Sequence, residues 1–136
     1  MKKWRFLELI ISISFFVLLN CKSDDNGDSN SDEIEITITN TSPFVLLVDE
    51  NPILNAVIGQ LEATVVPINS DLSYSIASVS QSDVIAINSE SGEITVEDPS
   101  FFDYESNTEI TGIFEVSSGN TSETISFIIE ILDLLE

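Results

Sequence analysis

Positively charged side chains are nearly absent from this sequence. All four Lys and Arg residues lie between positions 2 and 22, so no positive side chain follows Lys22, and the formal net charge is -20 at pH 7. Nucleic acids and anionic lipid surfaces are bound mainly by Lys and Arg that neutralise phosphate. The composition therefore excludes nucleic acid as a partner and leaves divalent cations as the natural counter-ions.

Histidine is missing altogether, and Cys21 is the only cysteine. The chain thus lacks the usual general base, the usual zinc ligands and any internal disulfide. Serines are abundant, but an activated nucleophile needs a neighbouring base, and none is available after Lys22. Paired carboxylates could in principle hydrolyse glycosides. We nevertheless predict that the protein is not an enzyme.

The N-terminus carries a targeting signal. Three positive residues precede an apolar run, Phe6–Leu19, that is short for a membrane-spanning helix of about twenty residues. The sequence Leu18-Leu19-Asn20-Cys21 then resembles the lipobox of bacterial lipoproteins. The resemblance implies that residues 1–21 are a lipoprotein signal peptide ending at the lipidated Cys21, and that the membrane is reached through this N-terminal lipid. The alternative is an uncleaved signal anchor; in either case the remainder leaves the cytoplasm.

Residues 22–33 read as a flexible acidic tether, because positions 22–32 contain no apolar residue that could offset the entropy of ordering. Its acid-rich start resembles the tract that directs some lipoproteins to the outer face of the outer membrane. We therefore expect a lipid-anchored protein of the outer membrane or cell surface.

From position 34 onward the sequence alternates apolar and polar residues with the period of two that is typical of half-buried strands. The alternation recurs in seven or eight short runs separated by turn signals, with no helical period. One run is expected to extend from Gln60 to Val66, and Tyr74 is expected to point inward. The pattern predicts that residues 34–136 form an all-β, antiparallel Greek-key β-sandwich of immunoglobulin-like architecture with about seven strands.

Five short motifs within this region resemble a cadherin repeat, and they occur in that family's order. They are Val48-Asp49-Glu50-Asn51, Ala56-Val57-Ile58-Gly59-Gln60-Leu61, Leu72-Ser73-Tyr74-Ser75-Ile76, Ile87-Asn88-Ser89-Glu90-Ser91-Gly92-Glu93-Ile94 and Phe102-Asp103-Tyr104-Glu105. The chain departs from the family where Val65, Val66 and Pro67 replace an Asp-x-Asp pair. It also departs at its end, where Asp133-Leu134-Leu135-Glu136 replaces the Asp-x-Asn-Asp-Asn linker.

The resemblance implies a calcium site at one end of the sandwich. Carried over residue by residue, the metal ligands are Glu50, Asp103 and Glu105, with Asp133 matching the first Asp of the linker. Three or four carboxylates and water imply weak binding. The alternative is a set of acids that cluster without binding a cation.

The last motif also carries two aromatic residues, Phe102 and Tyr104. On a strand-like backbone they point away from the two carboxylates, so we expect both aromatics to be core anchors. The function implied is a membrane-anchored cell-surface module with weak calcium binding and a role in cell adhesion or surface interaction. The alternative is a calcium-independent scaffold, or a surface lipoprotein that binds a glycan or protein; the partner itself is not written in the sequence.

Overall fold

The computed structural model describes residues 33–135. The predicted signal peptide, the predicted lipidation site Cys21 and nearly all of the predicted tether lie outside the described residues. Within residues 33–135 no helix combines the length and the apolar character needed to cross a bilayer.

Nine strands and one short 3-10 helix form the described part of the chain. The strands are β1 (Glu35–Ile38), β2 (Phe44–Asp49), β3 (Val57–Gln60), β4 (Ala63–Val66), β5 (Ser73–Val79), β6 (Ile85–Ile87), β7 (Glu93–Val96), β8 (Glu109–Ser118) and β9 (Thr121–Leu132), and the 3-10 helix spans Pro99–Phe101. They form a four-stranded sheet in the order β2-β9-β8-β5, a three-stranded sheet β3-β7-β6 and the pair β1-β4. The all-β sandwich predicted from the alternation is confirmed.

The four-stranded sheet contains a parallel pair that the sequence pattern did not predict. β2 runs parallel to β9, whereas every other described pairing is antiparallel. β1 and β2 follow each other in the chain but belong to different sheets. The first part of the domain therefore crosses from one sheet to the other, and β2 lies at the edge of the four-stranded sheet.

The run expected from Gln60 to Val66 is broken in two. β3 ends at Gln60 and pairs with β7, whereas β4 begins at Ala63 and pairs with β1. Between them Leu61 is buried, and its backbone N–H donates a 2.9 Å hydrogen bond to the carbonyl oxygen of Gly92. The break lets one chain segment pair with two partners, so the two smaller sheets form one layer opposite the four-stranded sheet.

The core lies between the two layers and takes alternate residues from the strands, as the period of two predicts. Tyr74 is buried as expected. At the centre, the rings of Phe114 and Phe127 stack with centroids 4.1 Å apart and an interplanar angle of 21°. A pair of this kind contributes about 0.5–1.5 kcal/mol beyond the area it buries.

The two ends of the sandwich are distinct. Ile34 lies beside the turn between β8 and β9, because a Cβ placed on Gly119 would be 3.5 Å from its Cδ1. β2 and β9 end together at the other end, where Asp49 pairs with Leu132. The twelve residues of β9 span about 35–40 Å. The chain therefore enters the domain at the end opposite the one at which β2 and β9 stop.

Candidate metal centre

Three of the four predicted ligands converge where β2 and β9 end. One carboxylate oxygen from each of Glu50, Asp103 and Glu105 lies within 4.8 Å of the others. Glu50 directly follows β2, whereas the other two follow the 3-10 helix. The fold thus brings together residues more than fifty positions apart in the sequence.

The backbone around Glu50 is held from two sides. Its N–H donates a 3.0 Å hydrogen bond to the carbonyl oxygen of Leu132, so the β2–β9 pairing continues one residue beyond the strands. The next N–H, of Asn51, donates to the carbonyl oxygen of Phe102 at 2.8 Å. Asn51 has a φ of 55°, a conformation that Asn adopts more readily than most residues. These bonds fix the point at which the Glu50 side chain leaves the backbone.

The Glu50 carboxylate is buried, with only 5% of the residue exposed. Its Oε2 accepts a 3.2 Å hydrogen bond from the N–H of Tyr104, and its Oε1 accepts one of 2.9 Å from the N–H of Leu134. Burying a carboxylate is costly unless its oxygens are hydrogen-bonded. Because each oxygen has a second lone pair, both can still face a cation.

Asp103 begins a tight turn that positions its carboxylate. Oδ1 accepts from the N–H of Glu105 at 3.2 Å, and Oδ2 accepts from the hydroxyl of Ser106 at 2.7 Å. Its backbone carbonyl also accepts from the N–H groups of Ser106 and Asn107 at 3.0 and 2.7 Å. The Ser106 hydroxyl, followed by the hydrogen bond to Glu105, lowers the pKa of Asp103 below its usual value.

Glu105 is exposed and lies beside two other carboxylates. The hydrogen bond to its own backbone N–H lowers its pKa. This effect is outweighed by the hydrogen bond with Asp103 and by the negative charge of Glu50, so the pKa of Glu105 is raised overall. Ionisation of Glu105 beside the other two carboxylates therefore costs free energy, and a bound cation would offset this cost.

The segment that carries Asp103 and Glu105 is a turn and not the predicted strand. Phe102 is fully buried and anchors it, as expected, but Tyr104 is 37% exposed. The expectation that both aromatics are core anchors is therefore wrong for Tyr104. The hydrogen bonds that Asp103 makes close the chain into a turn, so the alternation of a strand does not apply to residues 103–106.

The predicted fourth ligand, Asp133, lies just beyond the end of β9 and is exposed. Its carboxylate does not join the group formed by Glu50, Asp103 and Glu105. The neighbouring residue takes part through its backbone instead, since the N–H of Leu134 reaches Glu50. Asp133 as a ligand stays a prediction.

The donor chemistry of the cluster fits calcium. All three side chains offer carboxylate oxygens, which are hard donors, and Ca²⁺ accepts six to eight such oxygens in flexible geometry. No Lys or Arg follows Lys22 in the chain to neutralise the cluster. Glu50, Asp103 and Glu105 would hold the ion, and water would fill the rest of its coordination shell.

Three supporting groups were missed by the sequence prediction. Ser106 binds Asp103 directly, and the amide nitrogen of the Asn107 side chain donates to the carbonyl oxygen of Phe101 at 3.2 Å. An Asp followed three residues later by Ser is a turn signal that could have identified Ser106. The third group is the backbone N–H of Leu134. No sequence signal indicates it, because every residue type except proline supplies a backbone N–H.

Among the comparisons with known proteins, the solved structures support the fold. No family model and no curated protein matches the sequence. Among solved structures, the protocadherin gamma B4 extracellular domain matches with a TM-score of 0.68 and 18% identity over 76% of this chain. The human desmocollin-1 ectodomain matches with a TM-score of 0.66 and 22% identity over 75% of this chain. Human protocadherin-24 EC1-2 matches with a TM-score of 0.63 and 16% identity over 72% of this chain.

The chain spans only part of each of these structures. It corresponds to 18% of the protocadherin gamma B4 chain, 21% of the desmocollin-1 chain and 43% of the protocadherin-24 chain. In each case the domain described here matches one part of a longer chain. The described domain has the fold of a cadherin extracellular repeat.

Proposed function

We propose that this protein is a non-catalytic, cadherin-like module of the cell surface that binds Ca²⁺ weakly and takes part in cell adhesion or surface interaction. The observation that carries the proposal is the convergence of Glu50, Asp103 and Glu105, with oxygens within 4.8 Å of one another and Glu50 buried. A buried carboxylate facing two others, in a domain without positive side chains, is well suited to a divalent cation.

The affinity we propose is low. Three carboxylates supply only part of the six to eight oxygens that calcium prefers, and Asp133 would add at most one more side chain. Water would complete the shell, which implies a dissociation constant of about 10⁻⁴ to 10⁻³ M, as in other extracellular modules. A site of this strength responds to extracellular calcium and is empty at the calcium concentrations of a cytoplasm.

A bound calcium ion supplies positive charge and oxygen coordination at the end of the sandwich. Glu50 is already bonded to the segments that contain Tyr104 and Leu134. Ligation of Asp103 and Glu105 to the same ion would tie the turn after the 3-10 helix to the end of β2. The expected result is a stiffer and more stable end of the domain, which is the end opposite the chain entry at Ile34.

The location we propose follows from the sequence. Lipidation of Cys21 would hold the protein in the membrane, and the acidic residues that follow would direct it to the outer membrane or cell surface. A tether of about twelve residues would leave the domain free to turn in space. The carboxylate cluster, at the far end from Ile34, would then be open to the extracellular medium.

The proposal is tested by melting the full chain, reconstituted in phosphatidylcholine nanodiscs, with Ca²⁺ or Mg²⁺ at equal concentration. With a Kd of about 1 mM, about 10 mM Ca²⁺ contributes roughly 1.4 kcal/mol and raises Tm by about 5 to 10 °C. Mg²⁺ should do less, because it requires a small octahedral shell. Circular dichroism measures the melting transition in the presence of each cation.

Two variants separate binding at the site from general screening of negative charge. Asp103→Asn removes a ligand charge and nearly preserves shape, so it should reduce the calcium effect. Glu93→Gln removes one charge from β7, away from the cluster, and should retain it. Equal stabilisation by both cations, or equal loss in both variants, would show that the domain is a calcium-independent scaffold.

One observation favours glycan binding as a second candidate function. Tyr104 is 37% exposed and follows Asp103 directly, so a ring and two carboxylates lie on one turn. Sugars stack on exposed aromatic rings, and their hydroxyl groups donate hydrogen bonds to carboxylates. Tyr104→Ala would abolish glycan-array binding of the full chain while leaving the calcium-dependent rise in Tm unchanged; an array signal that persists in this variant would exclude the candidate.

A further inference from the structure

The outer face of the four-stranded sheet is unusually apolar near its β2 edge. Val45 and Leu47 point outward from β2 and are 43% and 62% exposed. Ile128 of β9 pairs directly with Val45, and Leu132, which is 38% exposed, pairs with Asp49. Outward positions of a sheet that faces water are normally polar, so these four aliphatic residues call for an explanation.

The apolar surface continues around the edge of β2 into a groove of about 470 Å³. Ile53, Val57 and Leu134 line this groove together with Leu47, and they are 78%, 60% and 47% exposed. We call the combined area the β2 surface. It consists of Val45, Leu47, Ile53, Val57, Ile128, Leu132 and Leu134. Contiguous apolar surfaces of this kind mark binding sites more often than scattered exposed residues do.

Acidic residues lie among and beside the residues of the β2 surface. Glu130 pairs with Leu47 across β2 and β9, and Glu109 pairs with Glu130 on the next strand. Asp49 lies beside Leu132 on the same face, and Glu50 is among the residues that line the groove. No Lys or Arg follows Lys22 anywhere in the chain. Every charged residue within or beside the β2 surface is therefore negative.

The charges decide between the possible occupants of this surface. A second copy of the chain would bring the same acids to the contact, and like charges placed across an interface oppose association. An anionic lipid surface would be repelled for the same reason. A partner that combines aliphatic contact residues with Lys or Arg matches both the apolar and the acidic residues of this surface.

We infer that the β2 surface is a docking site for a protein partner whose contact region combines aliphatic and basic side chains. The partner's aliphatic side chains would cover Leu47 and enter the groove beside Val57. Its Lys or Arg side chains would pair with Glu130 and Asp49. This site needs no calcium, so its test is made with a chelator present and is independent of the metal proposal.

The test uses defined peptides as probes of this chemistry. Three labelled peptides of equal length alternate Leu with Lys, Ser with Lys, or Leu with Glu. Binding to the full chain in phosphatidylcholine nanodiscs is measured by fluorescence anisotropy at physiological salt. The Leu-Lys peptide should bind at least about tenfold more tightly than either of the others, because it alone matches both the apolar and the acidic features.

Matched variants locate the binding. Leu47→Ser with Val57→Ser should weaken binding of the Leu-Lys peptide about tenfold. The control, Val66→Ser with Ile68→Ser, removes two aliphatic residues that are 60% and 88% exposed and do not line the groove, and it should leave binding unchanged. All four positions are exposed, so each double variant should keep the wild-type melting temperature.

A second pair of variants tests the charges without altering the apolar residues. Asp49→Asn with Glu130→Gln should weaken binding of the Leu-Lys peptide several-fold. The control, Glu90→Gln with Glu93→Gln, alters two exposed acids at the β6–β7 hairpin and should leave binding unchanged. Equal effects of test and control variants would overturn the inference. So would binding of the Leu-Glu peptide as tight as that of the Leu-Lys peptide, or self-association in sedimentation that Leu47→Ser abolishes, since the occupant would then be a second copy.

Discussion

Leu134 and Glu50 are 84 positions apart, yet the backbone N–H of Leu134 donates a 2.9 Å hydrogen bond to Oε1 of Glu50. The other oxygen of the same carboxylate accepts from Tyr104. One buried side chain therefore joins the end of β2, the turn after the 3-10 helix and the residues after β9. These hydrogen bonds connect the three segments at this end of the sandwich through the Glu50 carboxylate, and its negative charge acts on the groups around it.

The first prediction concerns the charge of Glu50. In calcium-free protein, Glu50→Gln should lower the pKa of Glu105, because the negative charge of Glu50 is one of the causes that raise it. Ionisation of Glu105 costs stability in the wild type, and this cost appears as the pH rises through its raised pKa. NMR titration of the Glu105 side chain measures the shift.

Glu93→Gln is the control for this titration, since Glu93 lies on β7 outside the cluster. This substitution should leave the pKa of Glu105 unchanged. A Glu105 pKa that moves equally in both variants would mean that overall charge sets it and that the contact with Glu50 does not.

The second prediction concerns Gly92, at the end of the β6–β7 hairpin. Its φ is 75°, and a Cβ there would overlap the carbonyl oxygen of Leu61 and come within 3.2 Å of the Tyr74 ring. Gly92→Ala should therefore combine backbone strain with a steric clash and cost about 2–4 kcal/mol in the free energy of unfolding. Urea denaturation measures the change.

Gly119 offers a matched control. Its φ of 58° is also positive, but among residues 33–135 an added Cβ would meet only Cδ1 of Ile34, at 3.5 Å. Gly119→Ala should cost about 1–2 kcal/mol, the backbone contribution alone. If the two variants lose equal stability, the packing of Leu61 and Tyr74 around Gly92 contributes nothing.

Much of this fold is written in local sequence. The alternation around Ile110, Phe114 and Val116 and that from Ile125 to Ile131 predict two strands, and Ser118-Gly119-Asn120 predicts the turn between them. The structure shows both strands to be longer than the short runs expected. The parallel pairing of β2 could not be predicted, because apolar alternation is the same for either strand direction. The separation of β3 from β4 at Leu61 could not be predicted either, because Leu61 continues the alternation of apolar residues. It becomes apparent only from the hydrogen bond between Leu61 and Gly92.

The site was predicted through the motifs and not from any local pattern. Their resemblance to a cadherin repeat named Glu50, Asp103 and Glu105, and the structure brings these three together. The outward position of Tyr104 was missed because a strand was assumed where side-chain hydrogen bonds of Asp103 form a turn. The role of Leu134 depends on its backbone, which no motif encodes.

The third prediction concerns pH and the start of the 3-10 helix. The hydroxyl of Ser100 donates to Asp98 at 2.6 Å and its N–H donates at 3.0 Å. The hydroxyl, then the N–H, lower the pKa of Asp98 from its usual value of 3.8. The stability that this gives is fully present above that value and is lost as the pH falls through the lowered pKa.

Ser100→Ala removes the hydroxyl but keeps the N–H, so it should be less stable than the wild type at neutral pH. The difference should disappear when the pH falls below the lowered pKa, where Asp98 is protonated in both proteins. Melting curves across acid pH measure this. A stability difference that is constant over the whole range would show that the hydroxyl acts without regard to the charge of Asp98.

The last prediction concerns Cys21, which lies outside the described residues. The apolar run Phe6–Leu19 ends two positions before it, and the intervening sequence resembles a lipobox. Cys21 should therefore be the acylated first residue of the mature protein, and mass spectrometry of protein extracted from membranes should find diacylglycerol on an N-terminal cysteine. Cys21→Ser should leave the signal uncleaved and release no lipid-modified form. A mature chain that retains residues before Cys21 and carries no lipid would instead identify the segment as a signal anchor.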